Sequence, residues 1–434
     1  MGPITSAASS LPDLVAAFQG DGTGSAEYLE ALEEVFEATN GEIAAFYPEE
    51  GRFERLAAEA EALAQRFPDT RDRPPLFGVP VGVKDIFHVD GFATTAGSRV
   101  PAAELAGPES ESVSALKRAG ALIMGKTVTT EFAYFGPGAT RNPVDRERTP
   151  GGSSSGSAAA VGAGLCPLTL GTQTIGSICR PASYCGAVGF KPTYDRTSRA
   201  GVIALAPSVD HIGCFAGDAA GVTLAASVLI PDWRSGLERR RPRLGIPESP
   251  YLSRASTSGR ERFRLGCERL VAAGFEVLNV EMMADFDAVE ARHRLLVAAE
   301  AARVHEPWFG TWGETYHEKT RELIETGLAV SDEALERALA GCSQLRGEVM
   351  AAMGERSVDL LLTPAAQDVA PLGLDSTGDP VMNLPWSHSG LPSVSLPLPC
   401  APGELPFGLQ LVGRHGDDER LLAWSHEIEE TLVS

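Results

Sequence analysis

Hydrophobic positions follow two different periods along this chain. Between residues 25 and 66, apolar side chains recur every three or four positions, which predicts two or three amphipathic helices. Residues 76–83 are instead almost uniformly apolar, as expected of a strand buried on both faces and ending at Lys84. Short apolar runs then alternate with helical patterns through Phe190. This alternation predicts an α/β sandwich built on a central sheet.

The same two patterns continue to the end of the chain. A first helix is expected to begin behind the N-cap Ser10, and Ser258 and Glu261 have the spacing of a capping box. One predicted strand covers residues 121–124, followed by a turn at 125–127. Further strands are predicted at 166–170, 186–190, 243–247, 359–364, 393–396 and 407–412, and further helices at 112–119, 158–164, 258–273, 285–304, 332–353 and 417–432.

Charge and composition exclude several classes of partner. The 434 residues carry a formal net charge of −21, which argues against nucleic acid or an anionic membrane surface as a partner. An anionic substrate would therefore need a local cationic group in its site. No apolar run is long enough for a membrane span, and the first twenty residues do not resemble a secretory leader. The seven cysteines include no CxxC pair, which favours free thiols in a cytoplasmic protein.

Two serine-bearing turns stand close together in residues 149–193. The first is the Gly/Ser run 151–157, and the second is the small-residue segment 171–177. A short Ala-rich helix and one apolar strand separate them, so the fold should hold both turns near one another. Small residues let backbone N–H groups approach a ligand closely. The arrangement suits the binding of an anion or of a developing oxyanion.

Lys84, Ser153 and Ser177 are the candidate reactive groups. A lysine at the end of a buried strand should have its pKa lowered, because burial disfavours the charged amine. A neutral lysine can take a proton from a serine and activate it as a nucleophile. The alternative for Lys84 is an ordinary lysine that reaches solvent from a strand end.

The Gly/Ser run by itself is open to other interpretations. As a phosphate-binding loop it lacks the lysine that follows the glycines of a Walker motif. Residues 152–156 satisfy GxSxG, but the charged segment 145–150 before them is not the strand that a nucleophile elbow requires. A flexible serine-rich linker is disfavoured because a helical segment follows directly.

Several ordered motifs together resemble the amidase signature family. They are residues 77–85 (FGVPVGVKD), the GGSSSGSAAA run, the GTQTIGS turn, CGAVGFKPT, residues 383–397 and residues 407–413. The similarity extends from about residue 30 to the C-terminus. It implies a three-layer α/β/α sandwich with a central mixed β-sheet, with residues 1–70 as N-terminal helices packing on the core. Residues 71–434 would form a single catalytic domain, in which helical elements at 285–353 cap the site.

The resemblance also implies roles for individual residues. Ser177 would be the nucleophile, Ser153 a bridging serine on a cis peptide bond, and Lys84 the general base. The backbone N–H groups of the nucleophile turn would form the oxyanion hole; they belong to Thr174, Ile175, Gly176 and Ser177.

This chain departs from the family pattern within the nucleophile turn. Ile175 replaces the first of two frequent glycines, and Gln173 replaces an aspartate that is frequent in the glutamine amidotransferase subunits. Arg180, three residues after the nucleophile, either holds a substrate carboxylate or braces the loop through backbone carbonyls. Tyr134 and Phe135 lie where the family lines its substrate pocket, although two aromatic residues before a glycine more often belong to the core. The predicted substrate-binding residues are Arg180, Tyr134, Gly152 and Gln173.

The function that the resemblance implies is hydrolysis of a small carboxamide through an acyl-enzyme, without metal or cofactor. Two alternatives use the same Ser-Ser-Lys triad: an acyl-transfer or amide-forming enzyme, and a subunit that releases ammonia from glutamine for a partner. A third alternative is an inactive binding protein, which the presence of all three triad residues disfavours. The expected partner is a small-molecule amide, and a homodimer is open because the family often forms one.

Overall fold

A single mixed β-sheet with helices on its two faces organises the computed structural model of the protein. The structure describes residues 10–20, 24–235, 240–401 and 403–433. The strands are β1 Pro80–Lys84, β2 Leu122–Thr127, β3 Leu168–Gln173, β4 Val188–Lys191, β5 His211–Ala216, β6 Leu244–Glu248, β7 Val277–Glu281, β8 Leu360–Pro364, β9 Ser393–Pro397 and β10 Gly408–Val412. The predicted three-layer α/β/α sandwich is confirmed.

The helices pack around this sheet in chain order. They are α1 Leu11–Phe18, α2 Gly24–Ile43, α3 Arg52–Arg66, α4 Glu111–Arg118, α5 Ser155–Gly162, α6 Cys179–Cys185, α7 Ala219–Leu229, α8 Thr257–Ala272, α9 Phe286–Val304, α10 Glu306–Trp312, α11 Glu318–Leu328, α12 Asp332–Glu355, α13 Leu384–His388 and α14 Asp418–Val433. No helix within these described ranges has both the length and the hydrophobicity to cross a bilayer. The predicted absence of a leader concerns an N-terminal segment whose first nine residues lie outside the described part.

The ten strands lie in the order β2-β1-β3-β5-β4-β9-β10-β8-β6-β7. Strands β2, β1 and β3 run parallel at one end of the sheet, and β8, β6 and β7 run parallel at the other. The pairings between β3 and β8 in this order are antiparallel. Because β1 lies between β2 and β3, the end of β1 faces the turns that follow both neighbours.

Two local predictions were wrong. Residues 125–127 continue strand β2 and do not form a turn, because Lys126 and Thr127 pair with the last residues of β1. Helix α8 is capped by Ser256, whose Oγ accepts a hydrogen bond from the backbone N–H of Gly259. Ser258 lies inside that helix, and Glu261 bonds to Arg264 instead of forming a capping box. The predicted N-cap Ser10 is confirmed.

The core has two main apolar clusters. The first joins the N-terminal helices to the sheet, since Leu11 and Phe36 pack in the same cluster as Val81 and Leu170. The second lies under helices α9, α11 and α12 and includes Ile175 of the predicted nucleophile turn. The second cluster therefore connects the reactive turn to the helices between residues 286 and 355. Cys166, Cys179, Cys185 and Cys214 are buried free thiols, as predicted.

Candidate active site

Lys84 ends strand β1 inside the protein. Its side chain is fully buried, and Nζ lies 2.7 Å from Oγ of Ser153 and 2.7 Å from Oγ1 of Thr172. Burial lowers the pKa of this amine well below its ordinary value of 10.5, and the negative charge of Asp210 acts in the opposite direction. The site therefore favours the neutral amine, which can accept a proton.

Ser153 lies in the loop that precedes helix α5. The peptide bond between Gly152 and Ser153 is cis, as the family resemblance implies. The carbonyl oxygen of Ser153 accepts a hydrogen bond from the backbone N–H of Thr130 at 3.2 Å. Its neighbour Ser154 bonds to strand β3, donating to the carbonyl of Thr172 and accepting from the N–H of the same residue. Both contacts fix the position of Ser153 relative to Lys84.

The turn of residues 174–177 connects strand β3 to helix α6 and is held from several directions. Oγ1 of Thr174 donates to Oδ1 of Asp210 at 2.6 Å. Oγ of Ser387, on helix α13, donates to the carbonyl oxygen of Ile175 at 2.8 Å. The backbone carbonyl of Gly176 accepts from the N–H of Arg180 in the first turn of α6. Elements distant in sequence therefore determine the conformation of this turn.

Gln173 supports the same turn through its side-chain amide. Oε1 accepts hydrogen bonds from the backbone N–H groups of Ile178 and Cys179 at 2.8 and 3.0 Å. Nε2 donates to Oγ of Ser387 at 3.0 Å. This side chain is fully buried, and both of its polar atoms are bonded to the protein. It is not among the described residues that line the small cavity next to Ser177. The structure thus brings Gln173 to the turn and not to the predicted substrate cavity.

The backbone N–H groups of the turn were predicted to form an oxyanion hole. Within the described part of the chain, none of the four, those of Thr174, Ile175, Gly176 and Ser177, donates a hydrogen bond. A side chain at Gly176 would place its Cβ 2.4 Å from Oδ1 of Asn383, so the packing permits only glycine there. The turn therefore combines a fixed backbone with unused donors.

Ser153 and Ser177 line one small cavity. Ser177 is 7% exposed and Ser153 is 2% exposed, so both hydroxyls lie in a nearly closed environment. Tyr134, one of the predicted substrate contacts, also lines this cavity. Its other lining residues are Ala133, Phe135, Thr174, Ile175, Arg180, Leu205 and Pro380.

Arg180 is buried and donates to backbone carbonyls. Nη2 donates to the carbonyl oxygen of Gly152 at 2.6 Å and to Oγ1 of Thr377 at 3.2 Å, and Nη1 donates to the carbonyl of Gly378. Burial lowers the pKa of the guanidinium to about 10. These contacts match the bracing alternative, in which Arg180 connects the Ser153 loop to residues 377–378. The carbonyl of Gly152, a predicted substrate contact, is occupied by the same guanidinium.

Three supporting residues were not identified from the sequence. They are Thr172, Asp210 and Ser387, which contact Lys84, Thr174 and Ile175 respectively. Thr172 lies in the GTQTIGS motif and could have been found from its position on the strand beside β1. Asp210 lies in none of the motifs, and Ser387 lies in the segment 383–397, where nothing marks it as a partner of the nucleophile turn. The contacts of both residues with that turn depend on the three-dimensional fold.

Comparison with known proteins identifies the family. A family model described as Amidase matches residues 26–422. The chain belongs to the amidase signature family. Its fold is that of a crystal structure of an amidase, with a TM-score of 0.88 and 32% identity, covering 98% of this chain and 100% of the other. The family assignment and the fold class predicted from the motifs are both confirmed.

Curated relatives of this amidase-family chain include components of amidotransferases. The A subunit of the glutamyl-tRNA(Gln) amidotransferase of Synechococcus sp. (strain RCC307) is 32% identical over 464 residues, which covers 95% of this chain and 94% of the relative. Another similar structure comes from a vestigial protein complex connected with the origins of an s-triazine catabolic enzyme. That structure is 28% identical with a TM-score of 0.84, and the match covers 97% of this chain and 98% of the other.

Proposed function

We propose that this member of the amidase family hydrolyses a carboxamide to a carboxylate and ammonia or an amine through a serine acyl-enzyme. One observation supports the proposal above all. The buried amine of Lys84, favoured in its neutral form, lies 2.7 Å from Oγ of Ser153, and Ser153 shares a cavity with Ser177. A neutral amine next to a hydroxyl is the arrangement that activates a serine when no histidine is involved.

In the first step, Oγ of Ser177 attacks the carbonyl carbon of the amide. Its proton passes to Oγ of Ser153, which gives its own proton to Nζ of Lys84. The carbonyl oxygen becomes an oxyanion, which the backbone N–H groups of the nucleophile turn stabilise. In related sites one such donor is worth about 10²–10³ in rate. The unused N–H groups of Ile175 and Gly176 support this role.

In the second step, the C–N bond breaks and the relay is reversed. Lys84 returns its proton to Ser153, and Ser153 protonates the departing nitrogen, leaving an ester on Ser177. A water molecule then attacks the ester carbonyl and gives a proton to the same relay. The ester bond breaks, Ser177 regains its proton, and the carboxylate leaves.

Gln173 and Arg180 act in this proposal as positioning residues. Both are buried and bonded to the backbone around the two serines, Gln173 at the nucleophile turn and Arg180 at the Ser153 loop. Tyr134 contributes to the substrate cavity itself. Thr172 occupies the second hydrogen-bonding position of Nζ and orients the amine of Lys84 toward Ser153.

A second candidate function is supported by the relatives that belong to glutamyl-tRNA(Gln) amidotransferases. In this alternative the same serine relay would release ammonia from glutamine for a partner protein. Free amides would then be poor substrates, and glutamine hydrolysis would require the partner. Transfer of the acyl group to an amine would use the same acyl-enzyme, with the amine replacing water in the second step.

The test of the proposed function is substitution of the nucleophile. Ser177→Ala should reduce amide hydrolysis by about 10⁴-fold or more, because it removes the atom that forms the acyl-enzyme. Ser343→Ala, on an exposed position of α12, is the matched control and should retain full activity. Hydroxylamine added to the wild-type reaction should yield a hydroxamate from the acyl-enzyme. Near-native hydrolysis by Ser177→Ala with unchanged circular dichroism would refute the assignment.

A further inference from the structure

Two larger cavities adjoin the small cavity that contains Ser153 and Ser177. The first, here called the apolar lobe, has a volume of about 230 Å³ and is formed mainly by residues 199–212 together with Ile86, Ala133, Thr172 and Thr174. The second, here called the helix lobe, has a volume of about 280 Å³. It lies between helices α9 and α11, and its lining residues are Tyr134, Phe135, Ile175, Arg294, Val297, Ala298, Lys319, Glu322, Leu323 and Thr326.

Each lobe borders the serine cavity through its own wall residues. The apolar lobe shares Ala133, Thr174 and Leu205 with that cavity. The helix lobe shares Tyr134, Phe135 and Ile175 with it. Among the described residues, none lines both lobes. The two lobes therefore lie directly beside the cavity at Ser177 and are separate from one another.

The apolar lobe borders the proton relay. Its wall includes Thr172, whose Oγ1 lies 2.7 Å from Nζ of Lys84. The carboxylate of Asp210 in the same wall is occupied by Thr174 and by the backbone N–H groups of Leu205 and Ala206. The other charged residue of this wall, Arg199, is paired with Asp195 at 3.2 Å, and most of the remaining wall is apolar. Because both charged groups already have protein partners, the lobe suits a mainly apolar group that leaves from the side of the relay.

The helix lobe borders the oxyanion side of the site and has a different chemistry. Its wall is apolar at Val297 and Leu323, and charged groups lie at Arg294, Lys319 and Glu322. The guanidinium of Arg294 is paired with Glu290 at 2.7 Å. Ile175, which carries one of the unused N–H donors, lines both this lobe and the cavity at Ser177. The lobe therefore suits the acyl part of a substrate, with its body against apolar walls and a polar end toward the charged groups.

We propose that the substrate is an N-substituted amide, R–CO–NH–R′, in which R occupies the helix lobe and an apolar R′ occupies the apolar lobe. This inference rests on the proposed function. A primary carboxamide has a substituent on one side of the carbonyl only and would leave one lobe unfilled. In the reaction the bond from Oγ of Ser177 to the carbonyl carbon forms, and the C–N bond breaks. The relay protonates the departing nitrogen, so that R′–NH₂ leaves through the apolar lobe, and water then cleaves the ester on Ser177 to give R–COO⁻.

The first test compares substrates that share one acyl group. N-butyl and N-benzyl amides should be hydrolysed with kcat/KM at least about 10-fold above that of the primary amide, since even small apolar groups in a fitted pocket contribute on this scale. The amine released is quantified by chromatography, and ammonia is quantified enzymatically. An equal or higher kcat/KM for the primary amide would overturn the inference.

The second test fills one lobe at a time. Ala204→Phe places a ring in the apolar lobe and should lower the ratio of N-butyl to primary-amide kcat/KM by about 10-fold or more. Ala204→Leu is a smaller substitution that tests the same ratio if the phenylalanine variant does not fold. Ala220→Phe, at a half-buried position of α7 outside the cavities, is the matched control and should leave the ratio unchanged.

Thr326→Trp narrows the helix lobe and should lower kcat/KM equally for both substrates, because they share the acyl group. Its control is Glu325→Trp, which lies on the same helix and is not part of the lobe lining.

If the ratio of N-butyl to primary-amide kcat/KM is unchanged in both Ala204→Phe and Ala204→Leu, the assignment of the apolar lobe to R′ is overturned. If no amide of either kind is hydrolysed, the proposed function fails with this inference. If hydrolysis depends on Ser177 but the primary amide is preferred, only this inference fails.

Discussion

Two buried lysines lie near the ends of neighbouring strands of the sheet, and they have different partners. Lys84 is fully buried at the end of β1, and Lys126 is 5% exposed in β2, where the two strands pair in parallel. Nζ of Lys126 lies 2.8 Å from Oδ1 of Asp85 and donates to the carbonyl of Phe87. Nζ of Lys84 lies 2.7 Å from the hydroxyl oxygens of Ser153 and Thr172, and no carboxylate of the described residues forms an ion pair with it.

The difference shows how one residue type serves two purposes in one layer of the fold. Burial lowers the pKa of both lysines. At Lys126 the carboxylate of Asp85 opposes this effect through its charge and a hydrogen bond, whereas at Lys84 the carboxylate of Asp210 opposes it through its charge. An ion pair compensates part of the cost of burying a charge, whereas hydroxyl partners do so less well. Lys126 is therefore suited to a structural ion pair. Lys84 is suited to exchange a proton.

The largest expected effect is on turnover in Lys84→Met. This substitution removes the proposed base and keeps an unbranched side chain of similar length in the buried site. We expect kcat to fall by about 10³-fold or more at neutral pH, since nucleophile and base act as a unit. The free energy of unfolding should remain near that of the wild type or increase, because a desolvated amine is removed.

Amide hydrolysis and urea denaturation of Lys84→Met are measured side by side with the wild type. Lys84→Arg serves as a second variant, because a guanidinium retains its proton and cannot act as the base. Substantial activity in either variant, with correct folding, would contradict the assignment of Lys84 as base.

The next effect is on stability, in Lys126→Met. The substitution leaves the buried carboxylate of Asp85 without its cation, and breaking such a pair typically costs about 3–5 kcal/mol. Chemical denaturation should detect this loss. The double variant Asp85→Asn/Lys126→Met removes both charges and should recover part of the stability. A single variant as stable as the wild type would show that the ion pair is not needed to stabilise this layer.

The parts of this site that could be predicted from sequence lie in continuous motifs. Lys84, Ser153 and Ser177 each stand in a distinctive short segment, and the resemblance to one family assigned all three together. Local hydrophobic patterns also predicted the strands and the helix next to these residues, with bounds that differ from the observed ones by a few residues. Strand β2 was predicted too short because Gly125, read as a turn signal, lies in a strand at a positive φ.

The supporting contacts could not be predicted in this way. Gln173 bonds to Ser387, which is 214 positions away in the chain. The Asp85–Lys126 pair depends on the register of two parallel strands, which no local pattern specifies. Arg180 had two roles open from its position after the nucleophile, and its contacts with the carbonyls of Gly152 and Gly378, which favour the bracing role, could not be inferred from the sequence. Side-chain partners of this kind are determined by tertiary packing.

The smallest expected effect is the pH dependence of kcat/KM, which we attribute to Lys84 and not to Lys126. In the wild type, kcat/KM should rise with pH through the lowered pKa of Lys84, because only the neutral amine accepts a proton. The residual kcat/KM of Lys84→Met should not show this rise with pH. A wild-type profile without such a rise would contradict a lysine base.

The lowered pKa also has a consequence for stability. Between the pKa of Lys84 in the folded protein and its ordinary value of 10.5, the unfolded chain binds a proton that the folded protein does not. Stability must therefore rise with pH across this interval, and the gain is lost as pH falls through the folded pKa. Lys126 contributes equally to the wild type and to Lys84→Met, so it cancels when the two are compared. Urea denaturation from about pH 7 to about pH 9 should show the wild type gaining stability relative to Lys84→Met by at most about 1.4 kcal/mol per pH unit. If the difference in free energy of unfolding between the two proteins does not change with pH, Lys84 keeps its proton in the folded protein. Lys84 would then be a charged lysine like Lys126 and could not act as the base.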